Sequence, residues 1–578
     1  MDSYFRWGSG LDSQHRCTIM AHLVAGSKPF RTTQRAPRSC RSCATRKVKC
    51  DKQVPCSTCI KRGEADACTR EMVIVRGEVR MWQDAPHIPT HEDLNHENQR
   101  LRLELEALRA QNSQVDGTSV ESPSVWPKRQ HRSDHDEEGL EDRLWKSLSA
   151  ASTATRPAVS HWTDIVLPSR ACSEQLIAYD KTWNSWVHYA VEYPRFENEC
   201  NGFISAMEAG SPIERQDPSW MAVYFSVLSA ALLMMADNEA ETLILPGGFG
   251  NRRDMSRIWY DAAIFALSCA DFMRVPSIRT VQAVAVLGMC FNTWGDIDLG
   301  QHMWRSALLV AQKIGLNTPY SRVAGSCLSE EAQHRLWWTL VICEWLNLPY
   351  LPPVIDDVDF DVPLPRAMSR ETEESIYDQV HYHIFMARSA IVVYRFRARI
   401  RSGIESHELT KAVRSADHEL AQIIDTLPPH LQPDIDPESD ELRRLESSQP
   451  WIKWQRYDLT LVLLHLRLRL HRTLQAQWLA DHDDYGWAEA VSVSSAMSVI
   501  WINRNWDQPS SLRKQWALSH HIFVSAILLV HQCQTNLHGE VEEYHEAIHA
   551  AINLLESVKS WNMLANLVIA ILDFDSYQ

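Results

Sequence analysis

Six cysteines, spaced Cys40-x2-Cys43-x6-Cys50-x5-Cys56-x2-Cys59-x8-Cys68, constrain this chain more than any other feature. They form two near-repeats, each opening with a C-x-x-C pair, in a segment with almost no apolar side chains beyond Val48, Val54 and Ile60. So little hydrocarbon cannot offset the entropy of ordering the backbone, so another interaction must hold the segment together. Zinc in structural sites takes four thiolates in a tetrahedron, and six thiolates fill the eight positions of two ions only if two of them bridge. Structural zinc supplies about 10–16 kcal/mol apparent in finger peptides, so the segment is expected to fold on two Zn2+ ions and to unfold when they are chelated. A disulfide scaffold or a C-x-x-C redox pair explains neither the six spacings nor the basic setting.

Charge gives the second constraint. The formal net charge is −15, which taken alone argues against a polyanionic partner. Between Lys28 and Arg62, however, eleven Lys or Arg face a single acid, Asp51, so that stretch carries +10 and the remainder −25. A basic arm on an acidic body is the pattern of a nucleic-acid-binding protein. Two zinc ions and six thiolates sum to −2, so nearby cations also stabilise the cluster.

The stretch RSCRSCATRKVKCDKQVPCSTCIKRGEADAC, with all six cysteines in place, resembles the fungal Zn2Cys6 binuclear cluster family. The resemblance implies that Cys40 and Cys56 are the bridging thiolates and that Pro55 marks the loop between the halves. It also implies that a short helix after the second cysteine enters the major groove of double-stranded DNA, where a lysine, here Lys47, reads a CGG triplet. A cation over G O6 and N7 is the commonest specific base contact, and Arg46, Lys49, Arg41 and Lys52 are expected to meet phosphates, with Arg46 the second choice as reader.

The segments around the cluster are assigned by composition. Residues 1–36 are expected to be a disordered leader, 37–70 the zinc cluster domain, 71–90 a linker and 111–160 a polar, acidic, disordered hinge. Between them, residues 91–110 fit heptads with Leu94, Leu101 and Leu108 at d and His91, Asn98 and Leu105 at a. An Asn at an a position favours a parallel two-stranded register, and Glu97 with Arg102 and Glu104 with Arg109 make complementary g-to-e pairs. A homodimer through 91–110 would present two clusters to two half-sites. A lone amphipathic helix lying on the body is the alternative.

From residue 161 to 578 apolar residues recur at helical spacing, and the expectation is a large all-α body. Trp454, Tyr457, Leu461, Leu464 and Leu468 make one helical stripe, which outweighs the strand-like LRLRL at 466–470. The uncharged run Trp220–Ala236 reaches the lower limit of a membrane span, yet its acidic flanks, Asp217 and Asp237, favour a buried core helix. No membrane partner is expected, and the N-terminal residues lack the pattern of a secretory signal. Scattered cysteines in apolar surroundings read as reduced core residues.

The stretches LPSRACSEQLIAYDKTWNSWVHYAVEYPRF, MWRSALLVAQKIGLN and HRLWWTLVICEWL, the last leading into PPVIDDVDFDVPLP, resemble the fungal-specific transcription factor regulatory domain, or middle homology region. Arg335, Trp337 and Trp338 carry the firmest part of that likeness, while Glu344 and LPYLPP depart from it. The resemblance implies a helical domain that restrains or licenses activation, sometimes in response to a small molecule. Trp337, Trp338 and Trp345 are expected to be core rather than cavity wall.

The fold class is thus a small binuclear zinc cluster module plus a short coiled coil, followed by a large all-α regulatory domain. The functional expectation is a nuclear, zinc-dependent, sequence-specific transcription factor. It is expected to activate a metabolic or secondary-metabolite gene cluster and to contact transcription machinery or co-regulators. A zinc-containing co-regulator without DNA readout is the competing class. His545-Glu546-Ala547-Ile548-His549 matches HExxH, but no downstream third ligand follows, and neither a nucleophile elbow nor a phosphate loop is present, so no enzyme is expected. The C-terminal ILDFDSYQ alternates acidic and apolar groups like a small activation segment, with a frayed helix end as the equal alternative.

Overall fold

The structure, a computed structural model, describes residues 31–32, 39–51, 55–65, 68, 73–75 and 78–80 of a first unit, 2–136. In a second unit, 137–578, it describes 157–246, 252–319, 326–346, 352–366, 378–401, 405–434, 440–508, 510–535 and 541–575. The heptad segment 91–110 and its Leu94, Asn98, Leu101, Leu105 and Leu108 lie outside the described residues.

In the first unit two short helices, α1 (Arg41–Arg46) and α2 (Ser57–Ile60), each follow a cysteine. A three-stranded sheet joins β1 (Arg31–Thr32), β2 (Val73–Val75) and β3 (Glu78–Arg80), with Arg31 opposite Val73 in parallel and Val73 opposite Arg80 in antiparallel register. These strands fall where composition suggests leader and linker. Two or three residues are too few to show an alternating pattern, although the β-branched VIV run followed by Arg76-Gly77 carries a hairpin signal.

The second unit is helical, and no strand occurs among its described residues. Its packing begins before the expected boundary at 161: Val159 is buried and the backbone N–H of Ala158 donates to Asp261 at 2.7 Å. The Trp220 run forms the helix Pro218–Met234, where Pro218 occupies the first turn and the Asp217 carboxylate accepts from the Ser219 N–H at 2.9 Å. Every residue from Trp220 to Met234 is buried, so the helix is apolar all round because neighbours cover it all round. The helix Trp516–Thr535 is also long and apolar enough to cross a membrane, and 78% of its apolar window is buried inside the body. The stripe from Trp454 to Leu468 lies on the helix Trp451–Arg472, with Leu459, Leu463, Leu466 and Leu470 buried as well, so LRLRL is helical and central.

The Trp-rich helix Glu330–Leu346 shows how an irregular segment is tied to this core. Trp338 donates to the Pro363 carbonyl at 2.9 Å, Trp345 donates to the Ile355 carbonyl at 3.0 Å, and Glu344 accepts from the Val354 N–H at 3.0 Å. Trp345 also stacks on Tyr394, with ring centroids 4.3 Å apart. The proline-rich loop thus hangs on indole N–H groups that need a buried acceptor. Trp337, Trp338 and Trp345 are core, as expected. Cysteines behave less uniformly: Cys172, Cys200, Cys290 and Cys327 are buried, whereas Cys269 and Cys343 are exposed.

Truncating a buried aromatic costs its transfer free energy plus that of the cavity left behind. Trp345→Ala is therefore expected to lower stability by about 3–5 kcal/mol in urea unfolding followed by circular dichroism. A loss below about 1 kcal/mol would remove Trp345 from the core.

Candidate metal centre and nucleic-acid interface

Each C-x-x-C pair builds the same local device. Cys40 and Cys56 are the N-caps of α1 and α2, and each sulfur accepts the backbone N–H three residues on, from Cys43 and Cys59, at 3.4 Å. A helix start aims N–H dipoles at the capping atom, so each first cysteine sits where negative charge is favoured. A further N–H, from Cys56, reaches the Cys68 sulfur at 3.2 Å.

The two devices face each other. Sulfur–sulfur separations are 3.8 Å for Cys40–Cys56, 3.8 Å for Cys40–Cys59 and 3.6 Å for Cys43–Cys56. Around a tetrahedral zinc with Zn–S of about 2.3 Å, ligand sulfurs are about 3.8 Å apart, so the spacing is that of a metal-centred group. The ligand atoms of Cys40, Cys43, Cys56 and Cys59 all lie within 4.8 Å of one another, and Cys50 joins Cys56 and Asp51 in a second such group. Cys68 is buried beside them. All six predicted cysteines are brought together, and the cation they fit is a soft, tetrahedral, divalent one.

The sulfurs are also the core of this unit. Cys40, Cys43, Cys56, Cys59 and Cys68 form its buried cluster, with Val48 and Cys50 packed against it among the described residues, while Ile60 is 54% exposed. Burial raises the Cys40 and Cys43 thiols and pushes Cys59 up to about 12. For Cys56, burial acts upward but is overcome by the Cys59 N–H and by neighbouring thiols, which bring it down to about 6. Cys56 forms a thiolate readily, whereas Cys40, Cys43 and Cys59 need a cation to stabilise theirs.

Three contacts tie the halves. The Ser57 N–H donates to Asp51 at 2.8 Å, Thr58 donates to the Lys49 carbonyl at 3.0 Å, and Arg46 makes a two-pronged pair with Glu64 at 2.5 and 2.7 Å. Arg46 is therefore engaged by the second half of the cluster, which argues against its role as an alternative base reader. Glu64 is the residue that charge counting overlooks, although an acid two positions after the basic Lys61-Arg62 pair is itself a sign of an intramolecular partner. Lys47 is not inside the helix but caps it in a left-handed conformation at φ 54°, with its N–H returned to Ala44 and Cys43 carbonyls. Lys47 and Lys49 are exposed beside the end of α1. Lys52 lies outside the described residues, and Arg41 is described only as the first residue of α1.

Residues 38–72 match the family described as "Fungal Zn(2)-Cys(6) binuclear cluster domain". The segment is a domain that binds two zinc ions, and the chain is a DNA-binding transcription regulator. Over 92% of its length this zinc-cluster regulator is 20% identical to "Agnestins biosynthesis cluster transcription factor AgnL11" of Paecilomyces divaricatus, of which it covers 84%. Over 53% of its length it is 23% identical to "Aurofusarin cluster transcription factor aurR2" of Gibberella zeae, of which it covers 44%. Among solved structures, "Structure of the K. lactis CBF3 core" overlaps 75% of this chain and 89% of its own at a TM-score of 0.51 and 12% identity, a likeness of fold alone.

No catalytic family appears among these similarities. His545 is half-buried and Glu546 and His549 are exposed on the helix Val541–Glu556. Among the described residues, groups of three or more metal-donor side chains lie only in the cysteine segment.

Removing zinc with a chelator should release two ions per chain, measured by atomic emission. It should expose the six thiols to a thiol reagent while the helical signal of the body persists. Thiols that stay protected after the metal is gone would mean that something other than zinc holds this unit.

Proposed function

We propose that this chain is a nuclear transcriptional activator of a biosynthetic gene cluster that reads paired CGG-like triplets as a homodimer. The observation that carries the DNA-reading part is the position of Lys47. It is an exposed cation at the end of a short helix whose start is capped by the cysteine cluster. A left-handed cap turns the chain away there, and an exposed lysine at that turn is in reach of base edges once the helix tip is in a major groove. Lys49, Arg41 and Lys52 supply phosphate contacts that fix register. Arg46, held by Glu64, orients the loop that follows the helix.

Cys40 and Cys56 are the bridging ligands in this reading. The sulfur contacts support it, since Cys40 and Cys56 touch each other, Cys40 also touches Cys59 of the second half, and Cys56 also touches Cys43 of the first. Cys43 and Cys50 complete one ion, and Cys59 and Cys68 complete the other. Dimerisation falls to Leu94, Asn98, Leu101, Leu105 and Leu108, whose heptad pattern brings two clusters to one site. The helical body acts as the regulatory domain of the middle homology type. The gene-cluster role rests on the two relatives whose names carry biosynthetic clusters.

The test is a randomised-duplex selection with the full chain, with and without chelator. Chelator-sensitive enrichment of two CGG-like triplets is expected, and Lys47→Ala should flatten the preference by about 1–3 kcal/mol per half-site while leaving two zinc ions bound. No enrichment with both ions present would instead favour a co-regulator that does not read DNA. In a parallel measurement, Cys56→Ser should lose both ions where Cys50→Ser or Cys68→Ser loses one. Equal losses in all three would overturn the bridging assignment.

A further inference from the structure

The helical body contains a cavity of about 310 Å³ where helices from both halves of the domain converge. Its apolar lining includes Trp304, Ile342 and Phe291 together with Val462 and Leu466 of the helix Trp451–Arg472. The volume falls at the small end of the range for organic ligands, and the walls have the apolar character of such sites.

What distinguishes this cavity from a packing defect is its polar lining. His383, His465, His520 and His521 all face it and are 2–7% exposed. His465 stacks on His521 with ring centroids 4.1 Å apart, and His520 stands 5.4 Å from His465. His383 spends one ring nitrogen on Thr339 at 3.2 Å. The Nδ1 atoms of His383, His465 and His521 have no hydrogen-bond partner among the described residues. A buried polar atom without a partner costs about 1–3 kcal/mol, so a wall built of these rings is costly to keep.

The same wall is electropositive. Burial, the neighbouring imidazoles and the guanidinium groups of Arg469 and Arg472 hold His465 well below the usual histidine range, and burial with Arg469 brings His520 to about 3. The imidazoles are therefore neutral, each with one donor and one acceptor, beneath the cation Arg469 at the rim. The carboxyl on this lining, Asp458, is already engaged by the Tyr382 hydroxyl at 2.5 Å and is raised to about 6 by burial. Half-buried Arg469 and Gln515 and exposed Ala517 form an edge that opens to solvent. A metal ion does not fit, because the groups of donor atoms gathered within 4.8 Å among the described residues lie elsewhere.

We infer that this cavity is a binding site for a compact, largely apolar organic molecule carrying an acidic oxygen, a carboxylate or phenol, which the His465–His520–His521 wall and Arg469 receive. The apolar part lies against Trp304, Phe291 and Val462. Binding is read directly and does not depend on which DNA sequence the protein recognises.

The test is calorimetric titration of the full chain with 2-naphthoic acid, 2-naphthol and naphthalene, paired with thermal unfolding. One molecule of the acid or the phenol per chain is expected, bound at least tenfold more tightly than the hydrocarbon. His465→Phe and His521→Phe, which keep the ring and remove its polar atoms, should each erase that tenfold preference. Ala285→Leu, which fills the space, should abolish binding of all three probes, and it decides the matter if a histidine variant does not melt cooperatively. The proposal is overturned if no probe saturates at millimolar concentration, if naphthalene binds as well as the acid, or if the filled variant binds unchanged.

Discussion

The first unit depends on sulfur brought to metal distance by the starts of two helices. Hydrophobic burial cannot do this work there, because the buried cluster consists of Cys40, Cys43, Cys56, Cys59 and Cys68 with Val48 and Cys50 beside it. Placing the first cysteine of each C-x-x-C at an N-cap solves two problems together. It satisfies an orphan N–H of the short helix, and it surrounds the sulfur with dipoles that favour the thiolate. A helix of four or six residues would not persist in water unaided, so metal and helix are mutually dependent.

That dependence explains why the cations beside the end of α1 can be so exposed. Lys47 and Lys49 contribute nothing to a core, and like charges on a small unit repel, yet the cluster carries a formal −2 that offsets part of them. Asp51 and Glu64 are the counterweights that the geometry reveals. Asp51 closes onto the start of α2 and Glu64 onto Arg46, and each joins one half of the repeat to the other. Asp51 and Glu64 are therefore structural.

Much of this was legible in the sequence, and the reasons differ by region. Metal-ligand spacing is a local code with few alternative solutions, so the six cysteines and their partner ion follow directly from it. The helical body was legible from periodicity, including LRLRL, where a long apolar helix overrode a five-residue alternation. The short strands at Arg31, Val73 and Glu78 were not, because two or three residues carry no period. The end of α1 was not legible either: a left-handed cap at Lys47 stops the helix at Arg46, and no pattern in ATRKVK marks the stop. The Arg46–Glu64 pair spans 18 positions, beyond the reach of any local rule.

The cavity histidines were illegible for a related reason. His383, His465 and His520–His521 belong to three helices separated by up to 138 positions, and on each helix they read as polar interruptions of an apolar stripe. A core that tolerated such interruptions singly would pair each with a neighbour, as Thr339 does for one nitrogen of His383. Stacking His465 on His521 instead leaves an Nδ1 atom of each ring buried without a partner among the described residues, beside a cavity in a body otherwise rich in Trp, Leu and Phe. Phenylalanine at these positions would keep the ring and remove the desolvation penalty, so the arrangement sacrifices stability. Polar groups concentrated where they cost most, in a domain that can build a fully apolar core elsewhere, are the physical signature of a site shaped for something other than its own packing.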